Sequence, residues 1–297
     1  MTNHKGKVIK KIGRYKVINC KNCKFIHILP ISSDDELSVL YKKKYYQKTK
    51  PCYIKGNETE MEYWNLTFDE KLETLSKHIK SRSKRILDVG CGPGFFLRRA
   101  KSKGWNILGI EPSEVAAKYA QNQGIPVIID FFQRVDFLKL GKFDAIHMFD
   151  VLEHTNDPVT ILKNCFSILK KGGILILEAP NDFNILQKTV QKVLVKQEYW
   201  LAPPQHINYF NFSSLIKLLK NTGFKIVLKE STFPLEFFLL MGHDYIGNDK
   251  IGKRKHHERM KFEINLKKGN LTFLKRQIYQ YFAEIGIGRT AIIYAKK

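Results

Sequence analysis

Three sets of residues in this chain have the types and the spacing to do chemistry. The first is the run RILDVGCGPGFF from Arg85 to Phe96, where Asp88 stands two residues before Gly90 and glycine recurs at Gly92 and Gly94. Glycine lets a backbone approach a ligand closely and adopts positive φ at no steric cost, and a following helix offers unpaired N–H groups. The spacing is G-x-G-x-G, and Phe95 occupies the place of the third glycine in the G-x-G-x-x-G turn that holds a dinucleotide pyrophosphate. Asp88 would repel a diphosphate but suits a ligand carrying an ammonium group and a sulfonium. Glu111, 21 positions beyond Gly90, stands where an α/β fold puts a carboxylate that accepts from both ribose hydroxyls. The second set is Glu153-His154 and, farther on, His206, since histidine suits proton transfer near neutral pH. The third is Cys20-x2-Cys23, which has the spacing of a zinc knuckle.

The elements that must position these groups follow from hydrophobic periodicity. Ile86, Leu87 and Val89 read as a strand buried on both faces, and Phe95, Phe96, Leu97 and Ala100 as the helix after the turn. Ile107–Ile110, Pro126–Ile129, Lys142–Met148 and Ile174–Leu177 read as four more strands. Ser113 and Ser213 are expected to cap helices; the helix of Ile161, Leu162, Cys165, Phe166 and Leu169 stops at Lys171-Gly172-Gly173. A helix over 61–83 leads into the first strand and can cover one side of the ligand. Phe224–Leu228 and Thr290–Tyr294 read as sixth and seventh strands, separated by an insertion over 232–286 that carries Lys250, Lys253, Arg254, Lys255, His256, His257, Arg259 and Lys261 and a helix near Leu271–Phe282. Its charges read mainly as a solvated helix face, with some free to meet an anionic substrate. Residues 1–60 read as a separate module: two short strands joined at Cys20–Cys23, then a helix over Asp34–Tyr46.

The string LDVGCGPG in its strand–turn–helix setting resembles the first motif of the class I S-adenosylmethionine (SAM) dependent methyltransferases. That resemblance implies an α/β, Rossmann-like seven-stranded sheet with strand seven antiparallel, helices on both faces, an N-terminal cap and a C-terminal insertion, in a domain over 61–297. It implies SAM as cofactor, held by Asp88, Gly90, Cys91, Gly92, Gly94, Glu111, Pro112, Asp130, Phe132 and Phe149, with Phe131, Phe132 and Gln133 along the adenine. The stretch FDAIHMFDVLEHTNDP follows the family closely, and its Glu153-His154 pair resembles that of quinone-biosynthesis O-methyltransferases. The C-terminal part resembles methyltransferases associated with bacterial surface polysaccharides. The aromatic loop EYWLAPPQHINYFN then reads as substrate-facing, with Trp200 and Tyr209 at the acceptor and His206, ahead of His154 and Glu153, as the base. Some small-molecule and sugar methyltransferases carry an N-terminal module with two Cys pairs, and this one looks like its second half. With only His27 and Cys52 near to complete four ligands, no metal is expected.

Composition narrows the partners. The 297 residues suffice for one large α/β domain with additions; no apolar run is long enough to span a bilayer, and the basic N-terminus has no signal-like apolar stretch, so a cytoplasmic protein is expected. Five scattered cysteines imply no disulfide framework. Net charge is +23, but only 10 of the 51 basic residues are the Arg that specific phosphate and base recognition favours. Nucleic acid is therefore not the expected partner. A small-molecule acceptor, a sugar or other biosynthetic intermediate of anionic or nucleotide-linked character, fits the same field. An RNA methyltransferase and a SAM-binding regulator without turnover remain the alternatives.

Overall fold

The structure, a computed structural model, describes residues 4–33, 36–37, 53–80 and 84–297. The chain begins with strands β1 (Gly6–Ile12), β2 (Tyr15–Cys20) and β3 (Ile26–Leu29) in antiparallel register. Helices α1 (Tyr53–Thr59) and α2 (Met61–His78) follow; most of the helix expected over Asp34–Tyr46, and Cys52, lie outside the described residues. The alternating units are then β4 (Arg85–Val89), α3 (Phe95–Ser102), β5 (Asn106–Ile110), α4 (Glu114–Asn122), β6 (Val127–Ile128), α5 (Phe137–Leu140), β7 (Phe143–Phe149), α6 (Pro158–Ile168) and β8 (Leu169–Pro180). After α7 (Ile185–Val193) comes the short β9 (Asn208–Tyr209), then α8 (Phe212–Asn221) and β10 (Lys225–Ser231). Helices α9 (Glu236–Leu240), α10 (Asp249–Lys268) and α11 (Thr272–Glu284) form the insertion before the last strand, β11 (Thr290–Lys296).

The large sheet has the order β10-β11-β8-β7-β4-β5-β6, with β11 antiparallel to both neighbours and the five strands from β4 to β8 parallel. Because alternate side chains face opposite ways, Leu87, Ile146 and Leu175 join a core with α6 and α8, while Ile86, Ala145, Ile174 and Ile176 join a second core with α2, α3 and α4. Parallel strands buried on both faces need this continuous apolar character. The expected seven-strand sheet with one reversed strand is what forms.

Local boundaries differ for physical reasons. Leu169 leaves α6 and opens β8, since Gly172 at φ +79° lets the strand bend within one continuous element rather than end a helix. Asn211, not Ser213, caps α8: its side chain accepts from the Ser214 N–H at 2.9 Å while the Ser214 hydroxyl accepts from the Asn211 N–H at 3.0 Å. The N-terminal strands do not close a sheet alone, because β9 is their fourth strand, with Ile26 opposite Tyr209 and His27 opposite Asn208.

Part of the basic insertion is engaged by the chain itself, while Lys250, Lys253 and Lys261 are exposed. Helix α10 packs on α2: the imidazoles of His256 and His257 lie 3.5 and 3.4 Å from Glu60, just ahead of α2, and Lys268 lies 3.1 Å from Glu62. Arg259 is buried over the Tyr63 ring at 4.9 Å. At the junction of α2, α10 and α11, Lys275, only 2% exposed, sits 2.7 Å from Glu70 and 3.4 Å from Glu263. Removing one member of such a buried group strands the others without compensation. Lys275→Ala should therefore cost about 3 kcal/mol in urea unfolding, whereas Lys261→Ala, on an exposed position, should change stability by less than about 0.5 kcal/mol. Equal effects of the two would contradict this packing.

Candidate active site

The carboxyl ends of β4, β5 and β7 border a cavity floored by the glycine turn. Gly90 at φ +72° closes β4; a Cβ there would lie 2.5 Å from Val151 Cγ2, so a side chain would push out the loop after β7. Gly94 at φ +77° starts α3, and a Cβ there would meet Ala120 at 3.0 Å. Glu111 is buried at the end of β5, where its two oxygens accept from the Gly92 N–H at 2.9 Å and the Ser113 N–H at 2.8 Å. Burial pushes its carboxyl up to about 7, against the downward pull of those two bonds. Ser113 precedes α4 as expected, but its contribution is this backbone N–H and not a capping hydroxyl.

Beneath the turn runs a row of buried charges. His147, on β7, donates from Nδ1 to Asp88 Oδ1 at 2.7 Å and from Nε2 to Glu178 Oε1 at 2.9 Å, and Lys71, on α2, lies 3.3 Å from Glu178 Oε2. A ring that donates from both nitrogens is an imidazolium. Burial alone would lower His147, but the two carboxylates raise it to about 9. Burial would likewise raise Glu178, yet Lys71 and His147 hold it below its ordinary value, while Asp88, at the cavity end of the row, is raised by burial despite His147. The ring of Phe96 stacks on His147 with centroids 3.9 Å apart, so α3 covers the cation with a π face.

Of the residues expected to hold the cofactor, Asp88, Gly90, Cys91, Gly92, Glu111, Pro112, Phe132 and Phe149 line the cavity, as do Phe131 and Gln133. Gly94 and Asp130 are not among its lining residues: Gly94 acts as the αL start of α3, and Asp130 accepts from the Phe131 N–H at 2.8 Å. Sequence reasoning did not single out Tyr53, Asn57, Trp64 and Phe68, which bring α1 and α2 over the cavity. It also passed over His147 and Lys71, and placed Glu178 at the end of the fifth strand over the site without giving it a role. A signal existed for His147 and Lys71, since His147 interrupts the buried run FDAIHMF and Lys71 lies beside Leu72 on the packed face of α2.

On the loop after β7, His154 lines the cavity, but His206 is not among the lining residues. The two rings meet edge to face with centroids 5.0 Å apart, and Glu153, 1% exposed, places Oε1 3.8 Å from His154 Nε2. His154 Nδ1 is 2.7 Å from the carbonyl of Gln205. A carbonyl only accepts, so Nδ1 carries the proton and Nε2 of the neutral ring is the basic nitrogen. One ligand atom each from Glu153, His154 and His206 lie within 4.8 Å of one another, close enough to share a proton or a cation. Trp200 and Tyr209 do not line the cavity. Both are buried against Phe183, and the Tyr209 hydroxyl accepts from the Ala202 N–H at 3.1 Å, so they pack the loop instead.

The cavity suits the cofactor that the glycine motif implies: a backbone cradle that Cβ atoms would fill, a buried acid at the end of β5, an anionic residue below and aromatic walls. The methyltransferase domain family matches residues 61–229 of the chain. A ubiquinone biosynthesis O-methyltransferase of Actinobacillus pleuropneumoniae is 34% identical over 128 residues, 40% of this chain and 53% of that protein. The one from Histophilus somni is 29% identical over 178 residues, 56% of this chain and 74% of that protein. The chain thus spans about half the length of the first of these relatives. Among solved structures, the plantazolicin methyltransferase BpumL in complex with SAH has a TM-score of 0.53 at 16% identity over 88% of this chain and 93% of that one. Magnesium protoporphyrin IX methyltransferase from Synechocystis PCC 6803 with bound SAH has 0.52 at 14% identity over 85% and 96%. These two likenesses bear on the fold alone.

Two outcomes follow from this geometry. Glu111→Ala should weaken SAM binding by about 1 to 3 kcal/mol in calorimetry, because charge-assisted hydrogen bonds are lost; undiminished affinity would place the ribose elsewhere. The raised value of His147 gives a stabilisation that is complete below its ordinary 6.5 and is lost as pH rises through about 9. The gap in melting temperature between the parent and His147→Gln should therefore be widest near pH 6 and narrow above pH 9. A gap that does not change with pH would mean that the ring is neutral.

Proposed function

The chain belongs to the class I SAM-dependent methyltransferases, and we propose that it transfers the methyl group to a hydroxyl oxygen of a small-molecule biosynthetic intermediate, with His154 as general base. When bound, SAM supplies a methyl group on a sulfonium centre, an electrophile that needs no further activation. The work left to the protein is to hold the acceptor in line, keep water out and remove the hydroxyl proton as the new bond forms.

The observation that carries this reading is the position of His154 at the cavity, its Nδ1 held by the Gln205 carbonyl and its Nε2 beside Glu153. Nε2 takes the acceptor proton, and the buried carboxylate of Glu153 stabilises the imidazolium that results. His206 packs against the ring of His154 and acts as a positioning residue, which reverses the order of the two histidines expected from the sequence. The names of the ubiquinone biosynthesis relatives support oxygen as the atom methylated. Trp64, Phe68 and Phe149 favour a flat or apolar face on the acceptor, and sugar and phenolic hydroxyls are the classes to try first. The names of the ubiquinone biosynthesis relatives and the aromatic lining of the cavity support a small-molecule acceptor ahead of an RNA substrate.

With a panel of sugar and phenolic acceptors, release of the demethylated cofactor reports turnover. His154→Gln should lower turnover by about 10²-fold or more, the scale of general-base loss, with SAM affinity within about threefold of the parent. His206→Gln should be milder and should raise the acceptor KM more than it lowers kcat. Parental turnover in His154→Gln would remove the base. Acceptance of RNA alone, with a steep salt dependence of binding, would replace the substrate class.

A further inference from the structure

The N-terminal sheet brings together a donor set that cysteine spacing alone did not reveal. The Cys20-x2-Cys23 turn joins β2 to β3, and the Cys23 N–H donates to Cys20 Sγ at 3.4 Å, so the turn already points one sulfur at backbone hydrogen. His4, just before β1, places Nδ1 3.3 Å from Cys23 Sγ and 4.0 Å from Cys20 Sγ. His27, on β3, is 1% exposed and presents its ring edge-on to His4 with centroids 4.7 Å apart. Ligand atoms of His4, Cys20, Cys23 and His27 all lie within 4.8 Å of one another. The expectation of a metal-free turn rested on a shortage of ligands, counting only His27 and Cys52. His4 removes that shortage, because the antiparallel pairing of Gly6 with Cys20 carries it back over the turn.

We propose that His4, Cys20, Cys23 and His27 form a tetrahedral Cys2His2 site for a structural zinc ion. Zinc bound at about 2.3 Å from sulfur and 2.0 Å from nitrogen sets neighbouring ligand atoms about 3.3 to 3.8 Å apart; the His4–Cys23 distance of 3.3 Å meets this, and the His4–Cys20 distance of 4.0 Å exceeds it slightly. His27 is the second observation. Its Nδ1 is 2.9 Å from the Ile28 carbonyl, so that nitrogen carries the proton, and its Nε2 is a buried acceptor with no hydrogen-bond partner among the described residues. Metal-bound histidines commonly donate the other ring N–H to a carbonyl, which fixes the tautomer in this way. Two thiolates would neutralise the ion, and four protein ligands would leave no open position, so the site is structural rather than catalytic.

The ion would brace the wall that carries the two histidines. His27 lies opposite Asn208 in β9, and Ile28 N–H donates to the Ile207 carbonyl at 2.9 Å. Ile207 N–H in turn donates to the Glu153 carbonyl at 2.9 Å, and Asn208 Nδ2 donates to the carbonyls of Leu152 and Thr155 at 3.1 and 2.7 Å. Metal at the turn thus holds β3, and β3 holds both the 206–209 segment and the loop of His154.

Elemental analysis of the full chain, purified without chelator, should give one zinc per chain. Cobalt substitution should give thiolate-to-metal charge-transfer bands and the intense visible bands of a tetrahedral ion. Cys23→Ser and His4→Gln should each retain about a tenth of the zinc or less under the same washing, while Cys52→Ser should retain it all. Removing the ion should speed amide exchange at residues 206–209 without altering it in β4 and β7, a readout independent of turnover. Zinc-free folded protein whose Cys20 and Cys23 titrate as free thiols, a Cys20–Cys23 disulfide in the purified chain, or zinc that persists in the Cys20→Ser, Cys23→Ser double variant would each overturn the proposal.

Discussion

A charge placed inside a sheet must be paired, and this molecule places three there and packs a fourth against them from a helix. Lys71, Glu178, His147 and Asp88 alternate in sign and are each at most 7% exposed, and they come from α2, β8, β7 and β4. Desolvating such groups costs several kcal/mol per ion unless partners return it, so the row forms only when all four elements are in register. Asp88 opposite His147 in the β4–β7 ladder, with Glu178 two residues beyond the partner of His147 on β8, is the register that meets this demand. Shifting one strand by a residue would turn its charge to the other face, into the apolar core with α6 and α8.

The site is built outward from that row. Asp88 reaches the cavity with one oxygen already engaged by an imidazolium, which keeps a raised carboxyl anchored below the glycine turn. Phe96, the second residue of α3, covers the cation and so ties the direction of the helix to the charge beneath it. Across the cavity mouth, the acidic face of α2 is balanced by α10 and α11, so the same helix closes the cavity on one side and holds the insertion on the other. The opposite wall depends on the small sheet, where β9 joins the N-terminal strands to the loop bearing Glu153 and His154. Each wall is therefore fixed by a polar contact between segments distant in sequence.

What was legible in the sequence and what was not divides along this line. Apolar periodicity located the seven strands of the large sheet, and the glycine turn with Asp88 and Glu111 pointed to residues that line the cavity, because those signals are local. Strand β1 was missed since three of its seven residues are Lys, and Gly6 pairs with Cys20 only through the ladder. The same pairing hid His4 from the cysteine turn. Trp200 and Tyr209 were placed at the acceptor because an aromatic, proline-rich loop often shapes a pocket; here Phe183 and the small sheet bury them. His206 and His154 are 52 residues apart, and only the fold shows that they share an edge-to-face contact and that His154 is the one at the cavity.

Incubation of the full chain with SAM carrying an isotopically labelled methyl group, and with the small-molecule fraction of a cell extract, tests methyl transfer to oxygen most directly. Transfer to a hydroxyl predicts that the label appears in a new methoxy resonance, in step with release of the demethylated cofactor. Label recovered in an N-methyl or C-methyl group would contradict it, as would a chain that binds SAM tightly and leaves every methyl group in place.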